Sequence, residues 1–550
     1  MLDCPHLSCP GCPARDLSYP AQLDAKAQRL RAALARYPAL QEPAPEAIVG
    51  SPHVVAYRHR AKLPVVAAGP AVHVGLYAAA DRVVVDTPGC PILHPAARAV
   101  VDALRAWLAA EGLAAPAGPV TSIDVRFAAA AGACQVALAC RGGDLPGGAR
   151  AARRLRRAIP GVATVAVSRS DPRGVRVLGA APAVLAGPAA LAERIGERAY
   201  RLTPGAFFQV DPRQAVEVVR RVREAVAGAR RFADLYCGVG THALALAPDA
   251  DEGLGVDEGP EAIRAARLAA ADAGLEGRVR FVLGRAADVL AGGELARLAG
   301  PVEAIVLNPA RRGSDPRTLE AIARAGARTI AYVSCDPDTL ARDLDILRWT
   351  GHRPTRISPV DLFPQTFEVE TVVALARGDP PAPPPADVSG PAGARVRAVA
   401  LPPWESARPA PAAGAVFLPP PSTSGVAVLE GPAPQVVEAL ALVAGRLPAG
   451  GQLAGLAFDR VEAFAPGLSL VRLHARADAT AGALADLARA RHPVLGDPRG
   501  APTAPHAVLE RAALVRPFFH VAAVSGKGYR ARAPLQGDLD LALEKLRDRS

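Results

Sequence analysis

The sequence has very few lysines and no long apolar run. Only four of its 64 basic residues are lysines, so arginine carries nearly all of the positive charge. No apolar stretch reaches the roughly 18 residues that a membrane span requires, and no basic, apolar leader opens the chain. We therefore expect a cytoplasmic protein without a membrane segment.

Length and net charge indicate how many domains the protein has and what kind of partner it binds. A chain of 550 residues is too long for one core, so several domains are expected. Its net charge of +11 favours a polyanionic partner, although a well-solvated surface is the alternative. Guanidinium groups bind phosphate bidentately and stack on bases, so nucleic acid is the expected partner. In a reducing compartment, the eight cysteines indicate ligands, a nucleophile or core residues rather than disulfides.

The pattern along the chain predicts five regions. Residues 1–50 hold a cysteine-rich segment and an amphipathic helix. Residues 51–195 contain short β-like runs broken by glycine and proline, which predicts a mostly β domain. Strand and helix signals alternate over 196–377, as in an α/β doubly wound parallel sheet. A Pro-rich linker at 378–393 leads to a separate C-terminal region at 394–550.

Seven strands are predicted within the α/β region. The last two follow each other without a full helix, which indicates an antiparallel hairpin at the sheet edge. The predicted strands are 231–236, 253–257, 279–284, 302–308, 329–334, 354–363 and 367–376.

Two segments carry the residues best suited to catalysis. Tyr-Val-Ser-Cys-Asp-Pro-Asp-Thr-Leu-Ala-Arg-Asp, from 332 to 343, places Cys335 at the carboxyl end of a strand, just before a helix. Open α/β sheets present reactive groups there. Asp-Leu-Phe-Pro-Gln-Thr-Phe-Glu-Val-Glu, from 361 to 370, supplies carboxylates, and a thiol with a carboxylate suits attack on a pyrimidine ring. Taken alone, Cys335 also fits a small buried residue, and Glu370 a solvated charge.

A glycine-rich turn predicts a cofactor site. Asp234-Leu-Tyr-Cys-Gly-Val-Gly-Thr241 joins the first α/β strand to a helix, and its glycines let the backbone approach a nucleotide-type ligand. Asp257 ends the second strand about twenty residues on, where a carboxylate is expected to hold ribose hydroxyls. Such turns also occur merely to pack a helix on a strand.

The chain opens with three closely spaced cysteines, Cys4, Cys9 and Cys12. Their spacing in a polar, Pro-rich segment indicates a metal or cluster, and spacing alone leaves zinc and iron–sulfur equally open. Three other cysteines fit no ligand spacing and are expected to be buried: Cys134, Cys140 and Cys237.

Over roughly residues 1–377 these motifs resemble those of the RNA uracil-5-methyltransferases. The resemblance implies a Rossmann-like class I domain that binds S-adenosyl-L-methionine and methylates uridine C5 in RNA. Cys335 would form the covalent adduct with uracil C6, and Glu370 would remove the C5 proton. Phe207-Phe-Gln-Val is similar to a family motif whose glutamine contacts the cofactor. The matching cofactor positions are Gln209, Tyr236, Thr241, Asp257 and Asn308.

Three positions depart from the family pattern. Asn308 stands where Asp is usual, Asp336 where Asn is usual, and Glu368 where His is usual. A carboxylate at Glu368 is expected to raise the pKa of Glu370. The helix that begins at Pro337, together with the cofactor's sulfonium, is expected to favour the Cys335 thiolate.

The resemblance also bears on the metal and the substrate. Ribosomal-RNA members use a similar cysteine triplet and a distant cysteine, here Cys90, to bind a 4Fe-4S cluster. Transfer-RNA members generally lack it. The expected substrate is therefore 23S ribosomal RNA ahead of transfer RNA, and the expected state is a monomer.

The C-terminal region resembles the RluA-type pseudouridine synthases in two short motifs. Ser422-Thr-Ser-Gly and His492-Pro-Val-Leu match landmarks of that family, but Pro420 lies in the stretch where its catalytic aspartate belongs. A degenerate α+β synthase-like domain, useful for RNA binding, is predicted.

Two other functions stay open. Asn308-Pro-Ala resembles the Asn-Pro-Pro motif of amino-group methyltransferases, although that function leaves Cys335 and Glu370 without a role. The non-enzymatic alternative is an RNA-binding or ribosome-assembly factor whose enzyme domains have decayed.

Overall fold

The structure is a computed structural model with three large sheets, each covered by helices. It describes residues 2–78, 83–171, 177–179, 182–381, 386–389, 397–401, 424–430, 434–444, 447–453, 456–464, 467–489, 494–495, 514, 516, 518–526 and 529–547. None of the described helices is long and apolar enough to cross a membrane.

The first sheet follows helix α1 (Tyr19–Ala35) and has seven strands in the order β3-β2-β1-β4-β5-β6-β7. Its neighbours run antiparallel except β5 and β6, which are parallel and joined through a helix. Helices α2 (Pro95–Ala110) and α3 (Gly148–Ala158) pack on it. The strands are β1 (Arg60–Ala68), β2 (Ala71–Tyr77), β3 (Val84–Asp86), β4 (Val120–Ala128), β5 (Ala133–Cys140), β6 (Val162–Arg169) and β7 (Ala183–Ala186).

A small hairpin, β8 (Leu191–Ile195) and β9 (Arg198–Leu202), leads into the second sheet. That sheet has the order β12-β11-β10-β13-β14-β16-β15, and β10 to β14 are parallel. The predicted α/β fold and the antiparallel hairpin at its edge are confirmed. The strands are β10 (Arg231–Leu235), β11 (Glu252–Asp257), β12 (Val279–Leu283), β13 (Ala304–Leu307), β14 (Thr329–Ser334), β15 (His352–Val360) and β16 (Glu370–Arg377).

Six helices cover this sheet, and three of them begin with the pair Asp-Pro. In each, the aspartate side chain accepts a backbone N–H of the first turn, and the proline needs no partner for its nitrogen. The helices are α4 (Pro212–Ala225), α5 (Thr241–Leu246), α6 (Pro260–Asp272), α7 (Ala286–Ala291), α8 (Pro316–Ala325) and α9 (Pro337–Trp349).

Helix α1 is part of the core of this second sheet although it lies far away in sequence. Leu30, Ala33 and Leu34 are buried in one apolar cluster with residues of β10, β13, β14 and α9. The predicted amphipathic helix corresponds to α1, but its buried face is not wholly apolar. Leu23 is half-buried, whereas the polar residues Gln22 and Lys26 are buried.

The third sheet lies in the C-terminal region, in the order β17-β25-β24-β20-β23-β22-β21, with β18 paired to β19 and β19 to β24. Helices α10 (Ala483–Arg489) and α11 (Gly537–Arg547) accompany it. The strands are β17 (Asp387–Ser389), β18 (Arg397–Leu401), β19 (Ser424–Glu430), β20 (Pro434–Ala444), β21 (Gly450–Leu453), β22 (Leu456–Phe464), β23 (Leu468–Arg476), β24 (Phe519–Gly526) and β25 (Tyr529–Arg532).

Helix α11 contacts α9 and the end of α1, two helices that pack on the second sheet. Arg36 donates to Asp338 at 2.8 Å and also pairs with Glu544, while Lys545 lies 3.4 Å from Asp338. Pro420, Ser422 and His492, which carry the resemblance to pseudouridine synthases, lie outside the described residues.

Candidate active site

The predicted nucleophile and base lie at the same end of two neighbouring strands. Ser334 and Thr371 form the last pair between β14 and β16, so the next residues, Cys335 and Glu370, stand opposite each other. Glu370 is buried, with 4% of its surface exposed, and its charge acts on Cys335. The hairpin at the sheet edge therefore brings together residues from two separate motifs.

Four charged side chains surround this pair. Arg311 lies 3.4 Å from Glu368, and Arg29 of α1 lies 3.7 Å from the other oxygen of Glu368. Arg29 also approaches Asp336 at 3.5 Å and donates to the carbonyl of Phe367 at 3.2 Å. Arg311 is mostly exposed, so a charged group rims the site on the solvent side.

The Cys335 thiol is held in its protonated form. Burial raises its pKa to about 12, Glu370, Glu368 and Asp336 add to the shift, and Arg311 opposes it. The expectation that the helix starting at Pro337 and the cofactor's sulfonium together favour the thiolate stays a prediction. A positive charge beside the sulfur would oppose the upward shift of its pKa.

Glu370 titrates close to neutrality. Burial raises its pKa to about 7, Arg311 opposes this, and the negative charge of Glu368 adds to it. The predicted effect of Glu368 on Glu370 is thus confirmed in direction, although burial is the larger cause. A carboxylate with this pKa can accept and release a proton at neutral pH.

Asp336 has a local role that explains its presence. It is the N-cap of α9, and its side chain accepts the N–H of Thr339 at 2.9 Å. Asn and Asp cap helices about equally well, so the departure at Asp336 preserves the turn that carries Cys335.

The loop before Glu370 is anchored by residues that the sequence did not reveal. Asp361 accepts a hydrogen bond from Lys26 at 2.5 Å and one from Tyr19 at 2.9 Å. Gln365 adopts a positive φ of 69°, and its backbone N–H donates to Gln22 at 2.8 Å. Both Lys26 and Asp361 are fully buried, so α1 fixes the loop that leads to Glu370.

A buried ion pair fixes the loop that carries Arg311. Asp343 accepts the N–H of Ser314 at 2.6 Å and the hydroxyl of Tyr332 at 2.5 Å. Arg342 donates to Asp343 at 2.8 Å and to the carbonyl of Arg312 at 2.9 Å. The Ala-Arg-Asp sequence is thus a structural part of the site.

Four of the five predicted cofactor positions, all but Gln209, lie at the carboxyl ends of β10, β11 and β13. Asp257 accepts the N–H groups of Gly238 at 2.9 Å and of Gly259 at 2.8 Å, so it orders the glycine turn. Thr241 begins α5 after Gly240, whose φ of 83° favours glycine. Tyr236 also has a positive φ, and its hydroxyl lies 2.9 Å from Ser314 Oγ.

Asn308 lies beside a buried histidine that sequence reasoning missed. Its Nδ2 is 3.4 Å from His242 Nε2, and burial lowers the pKa of His242 to about 4. Asp234 was also missed. It accepts the N–H of Ala243 at 2.8 Å, and burial raises its pKa to about 8. Asn308 is uncharged, and the lowered pKa of His242 favours its neutral ring, so these two side chains add no charge to the site.

Gln209 is buried on a segment that the first sheet holds in place. Arg60 donates to the carbonyls of Ala206 at 2.9 Å and Gly205 at 3.2 Å, and pairs with buried Asp124. Among the described residues, no hydrogen bond joins Gln209 to Tyr236, Thr241, Asp257 or Asn308. Phe207, two residues before Gln209, is 61% exposed.

The four predicted ligand cysteines come together at a separate place. Burial raises the pKa of Cys12 to about 12, and repulsion from Cys90, Cys9 and Cys4 adds to the shift. The N–H of Gly11 donates to Cys9 Sγ at 3.5 Å, and the Ile92 and Leu93 N–H groups favour the Cys90 thiolate. Cys134, Cys140 and Cys237 are buried, as predicted. No three ligand side chains among the described residues are arranged to bind a single metal ion.

Comparison with known proteins agrees with this architecture. A sequence model of the tRNA (Uracil-5-)-methyltransferase family matches residues 191–378. An uncharacterized RNA methyltransferase of Geobacter sulfurreducens is 32% identical over 67% of this chain and 76% of its own length. An uncharacterized RNA methyltransferase of Thermosynechococcus vestitus is 33% identical over 67% of this chain and 82% of its own length.

A solved structure is similar as well. Pyrococcus abyssi tRNA (uracil-54, C5)-methyltransferase, in complex with S-adenosyl-L-homocysteine, is 25% identical and superposes with a TM-score of 0.55. The match covers 67% of this chain and 86% of that protein. The chain belongs to the RNA (uracil-5-)-methyltransferase family.

Proposed function

We propose that this protein methylates C5 of a uridine in 23S ribosomal RNA through a covalent adduct on Cys335. The observation that carries the proposal is the half-buried Cys335 thiol standing opposite a buried carboxylate whose pKa is about 7. S-adenosyl-L-methionine supplies the methyl group and a positive sulfur. Gln209, Tyr236, Thr241, Asp257 and Asn308 are the residues proposed to hold it.

The steps use the two side chains in turn. Cys335 first gives up its thiol proton to solvent, and its sulfur then bonds to uracil C6, which makes C5 nucleophilic. C5 would take the methyl group from the cofactor, whose sulfur would leave as a neutral thioether. Glu370 then accepts the C5 proton, and the electrons of that C–H bond restore the C5–C6 double bond and expel the thiolate. The raised pKa of Cys335 fits this sequence, because a positive charge near the sulfur would favour its thiolate.

Trapping with 5-fluorouridine tests the mechanism. Fluorine at C5 cannot leave as a proton, so the enzyme should accumulate a covalent RNA adduct that survives denaturing electrophoresis. Cys335→Ala should abolish the adduct, and Cys134→Ala, which removes a buried thiol elsewhere, should retain it. A Cys335→Ala enzyme that methylates uridine at the normal rate would refute the proposal.

We also propose that Cys4, Cys9, Cys12 and Cys90 hold a 4Fe-4S cluster. Their mutual repulsion and the N–H groups directed at two of the sulfurs suit a group that binds four thiolates. In such a cluster each thiolate binds a different iron. The ligands therefore stand farther apart than around one ion, which is compatible with the absence of a mononuclear site among the described residues.

The choice of ribosomal over transfer RNA rests on the cysteine group. The similar structure from Pyrococcus abyssi acts on transfer RNA, by its name, so the two substrates need a direct test. Mapping of 5-methyluridine by mass spectrometry in ribosomal and transfer RNA from a deletion strain distinguishes them. Loss confined to transfer RNA would reverse the assignment.

For the C-terminal region we propose RNA binding without pseudouridine formation. Asp459 is the nearest candidate to replace the missing catalytic aspartate, but it lies on β22. Strands β23 and β20 separate β22 from β24, which pairs with β19 at Ser424. Asp459 is exposed and pairs with His474 at 3.1 Å. Deletion after Pro380 should weaken RNA affinity and leave methyl transfer at saturating RNA intact. Formation of pseudouridine by the full chain would contradict this proposal.

The two alternatives explain less of the site. Amino-group methylation gives Cys335 and Glu370 no role, and a decayed assembly factor gives no reason for a buried carboxylate opposite a half-buried thiol.

A further inference from the structure

Helix α3 carries an uncompensated arginine surface. Its eleven residues, Gly-Ala-Arg-Ala-Ala-Arg-Arg-Leu-Arg-Arg-Ala, include five arginines and no acidic residue. Ala151, Ala152 and Leu155 are buried against β6 and β7, and the small alanines let the helix lie close to the sheet. The exposed arginines are Arg150, Arg153, Arg154 and Arg157, and Arg156 is half-buried.

Few carboxylates offset this charge. Among the described residues, the only ion pair made by an arginine of α3 joins Arg154 to Glu111, and both side chains are substantially exposed. Exposed pairs contribute little to stability. Asp144, in the turn before the helix, is the other nearby acid in the sequence. Five arginines against two carboxylates leave a local excess of +3.

Helix α4 shows that this excess is particular to α3. It carries four arginines, but Arg220 lies 2.7 Å from Glu217 and also pairs with Glu224, and Arg223 lies 2.6 Å from Asp249. The arginines of α4 are thus largely neutralised within the fold, whereas Arg154 is the one arginine of α3 that pairs with a carboxylate among the described residues.

The sheet separates α3 from the methyltransferase unit. Side chains of the first sheet alternate between its two faces. Val165 and Val167 of β6 pack with α3, whereas Thr164 donates to Pro188 at 2.8 Å and Gln135 donates to Leu202 at 2.6 Å on the other face. Residues 188–206 lead into the methyltransferase unit, so the arginine surface lies on the opposite side of the sheet.

We infer that the exposed face of α3 binds the phosphate backbone of RNA at a distance from the target uridine. Guanidinium groups bind phosphates bidentately, and such contacts position an RNA without reading its sequence. A membrane fits less well, because the apolar side of α3 is already buried in the fold. The choice of RNA rests on the proposed function. A remote surface also implies that the substrate is an extended, folded RNA.

Salt-dependent binding of two RNA probes tests this inference in the full-length protein. The probes are a long RNA hairpin and a short single-stranded uridine oligonucleotide. The variant is R150Q/R153Q/R157Q, whose arginines are exposed. The control is R220Q/R223Q/R264Q, which removes the same charge from ion-paired arginines of α4 and α6.

For the hairpin, the α3 variant should lower the slope of log affinity against log salt by about 2 to 3 units and weaken binding roughly tenfold or more. Binding of the short oligonucleotide should be unchanged, and so should the control variant with either probe. An unchanged hairpin slope, or an equal loss in the control, overturns the inference. An equal loss with the short probe also overturns it, because the surface would then belong to the active site.

These readouts do not require methylation. If no RNA is methylated by the unaltered protein, the proposed function fails, while the binding comparison still decides whether α3 holds RNA. Circular dichroism of both variants checks that the helices are intact.

Discussion

Cys335 and Glu370 stand opposite each other because β14 and β16 run antiparallel and end their pairing at Ser334 and Thr371. Main-chain hydrogen bonds therefore set the distance between the proposed nucleophile and the proposed base. Burial and neighbouring charges, among them Asp336 and Glu368, then act on the pKa of Cys335.

The first prediction concerns Glu370 as a base. Glu370→Gln should form the methylated adduct but release it slowly, because the C5 proton has no acceptor. In the unaltered enzyme, only the ionised carboxylate can accept that proton. With a pKa of about 7, release should therefore slow as pH falls through neutrality. Single-turnover release of methylated RNA against pH measures this, and normal turnover by Glu370→Gln would remove the residue from this role.

The same pH profile tests the influence of Glu368. Its negative charge disfavours ionisation of Glu370, so Glu368→Gln should lower the pKa of Glu370 and move the profile to lower pH. Because burial is the larger cause, part of the shift should remain. A profile that moves to higher pH would contradict the assignment.

The second prediction concerns the ion pair beneath the catalytic loop. Lys26→Ala leaves the buried carboxylate of Asp361 without its cation, which should lower the free energy of unfolding by about 3 to 5 kcal/mol. Turnover should also fall, since the loop that carries Glu370 loses its anchor. Denaturant unfolding measures the loss, with Arg31→Ala, an exposed site on the same helix, as the control. Equal stability of the two variants would show that the pair is unimportant.

The third prediction uses a glycine beside the buried Arg342–Asp343 pair. A Cβ on Gly313 would lie 2.4 Å from Arg342 Nη2 and 2.6 Å from Asp343 Oδ2, at a φ of +75°. Gly313→Ala should therefore destabilise the protein by about 3 kcal/mol or more. Gly274 has a similar φ of +63° with nothing within 4 Å, so Gly274→Ala should lose only about 1 kcal/mol. Equal losses of stability in the two variants would show that the positive φ, and not the contact with Arg342 and Asp343, causes the destabilisation.

The fourth prediction concerns the cysteine group. Anaerobically purified protein should contain about four irons per chain and show broad absorbance near roughly 400 nm. Cys12→Ser should lose the iron, whereas Cys134→Ser should keep it, because Cys134 is buried in the first sheet. Iron analysis and absorbance measure both. Stoichiometric zinc without iron would contradict the cluster and show that the cysteines bind zinc.

The sequence predicted the second sheet well because strand signals and Asp-Pro helix starts are local. It did not predict that Gln22 and Lys26 are buried, since their partners, Asp361 and Gln365, are distant in the chain. The raised pKa of Cys335 was not predicted for a related reason, because its largest cause is burial, which depends on tertiary packing.

The place of α1 in the core has a consequence for folding during synthesis. Leu30, Ala33 and Leu34 pack with β14 and α9, which the ribosome makes roughly 300 residues later. At about 5 to 20 residues per second, the apolar side of α1 stays uncovered for about 15 to 60 s. The first sheet has all its strands long before then. In the nascent chain, the apolar side of α1 therefore stays exposed after the strands of the first sheet have been synthesised. A chaperone that shields α1 would act during this interval.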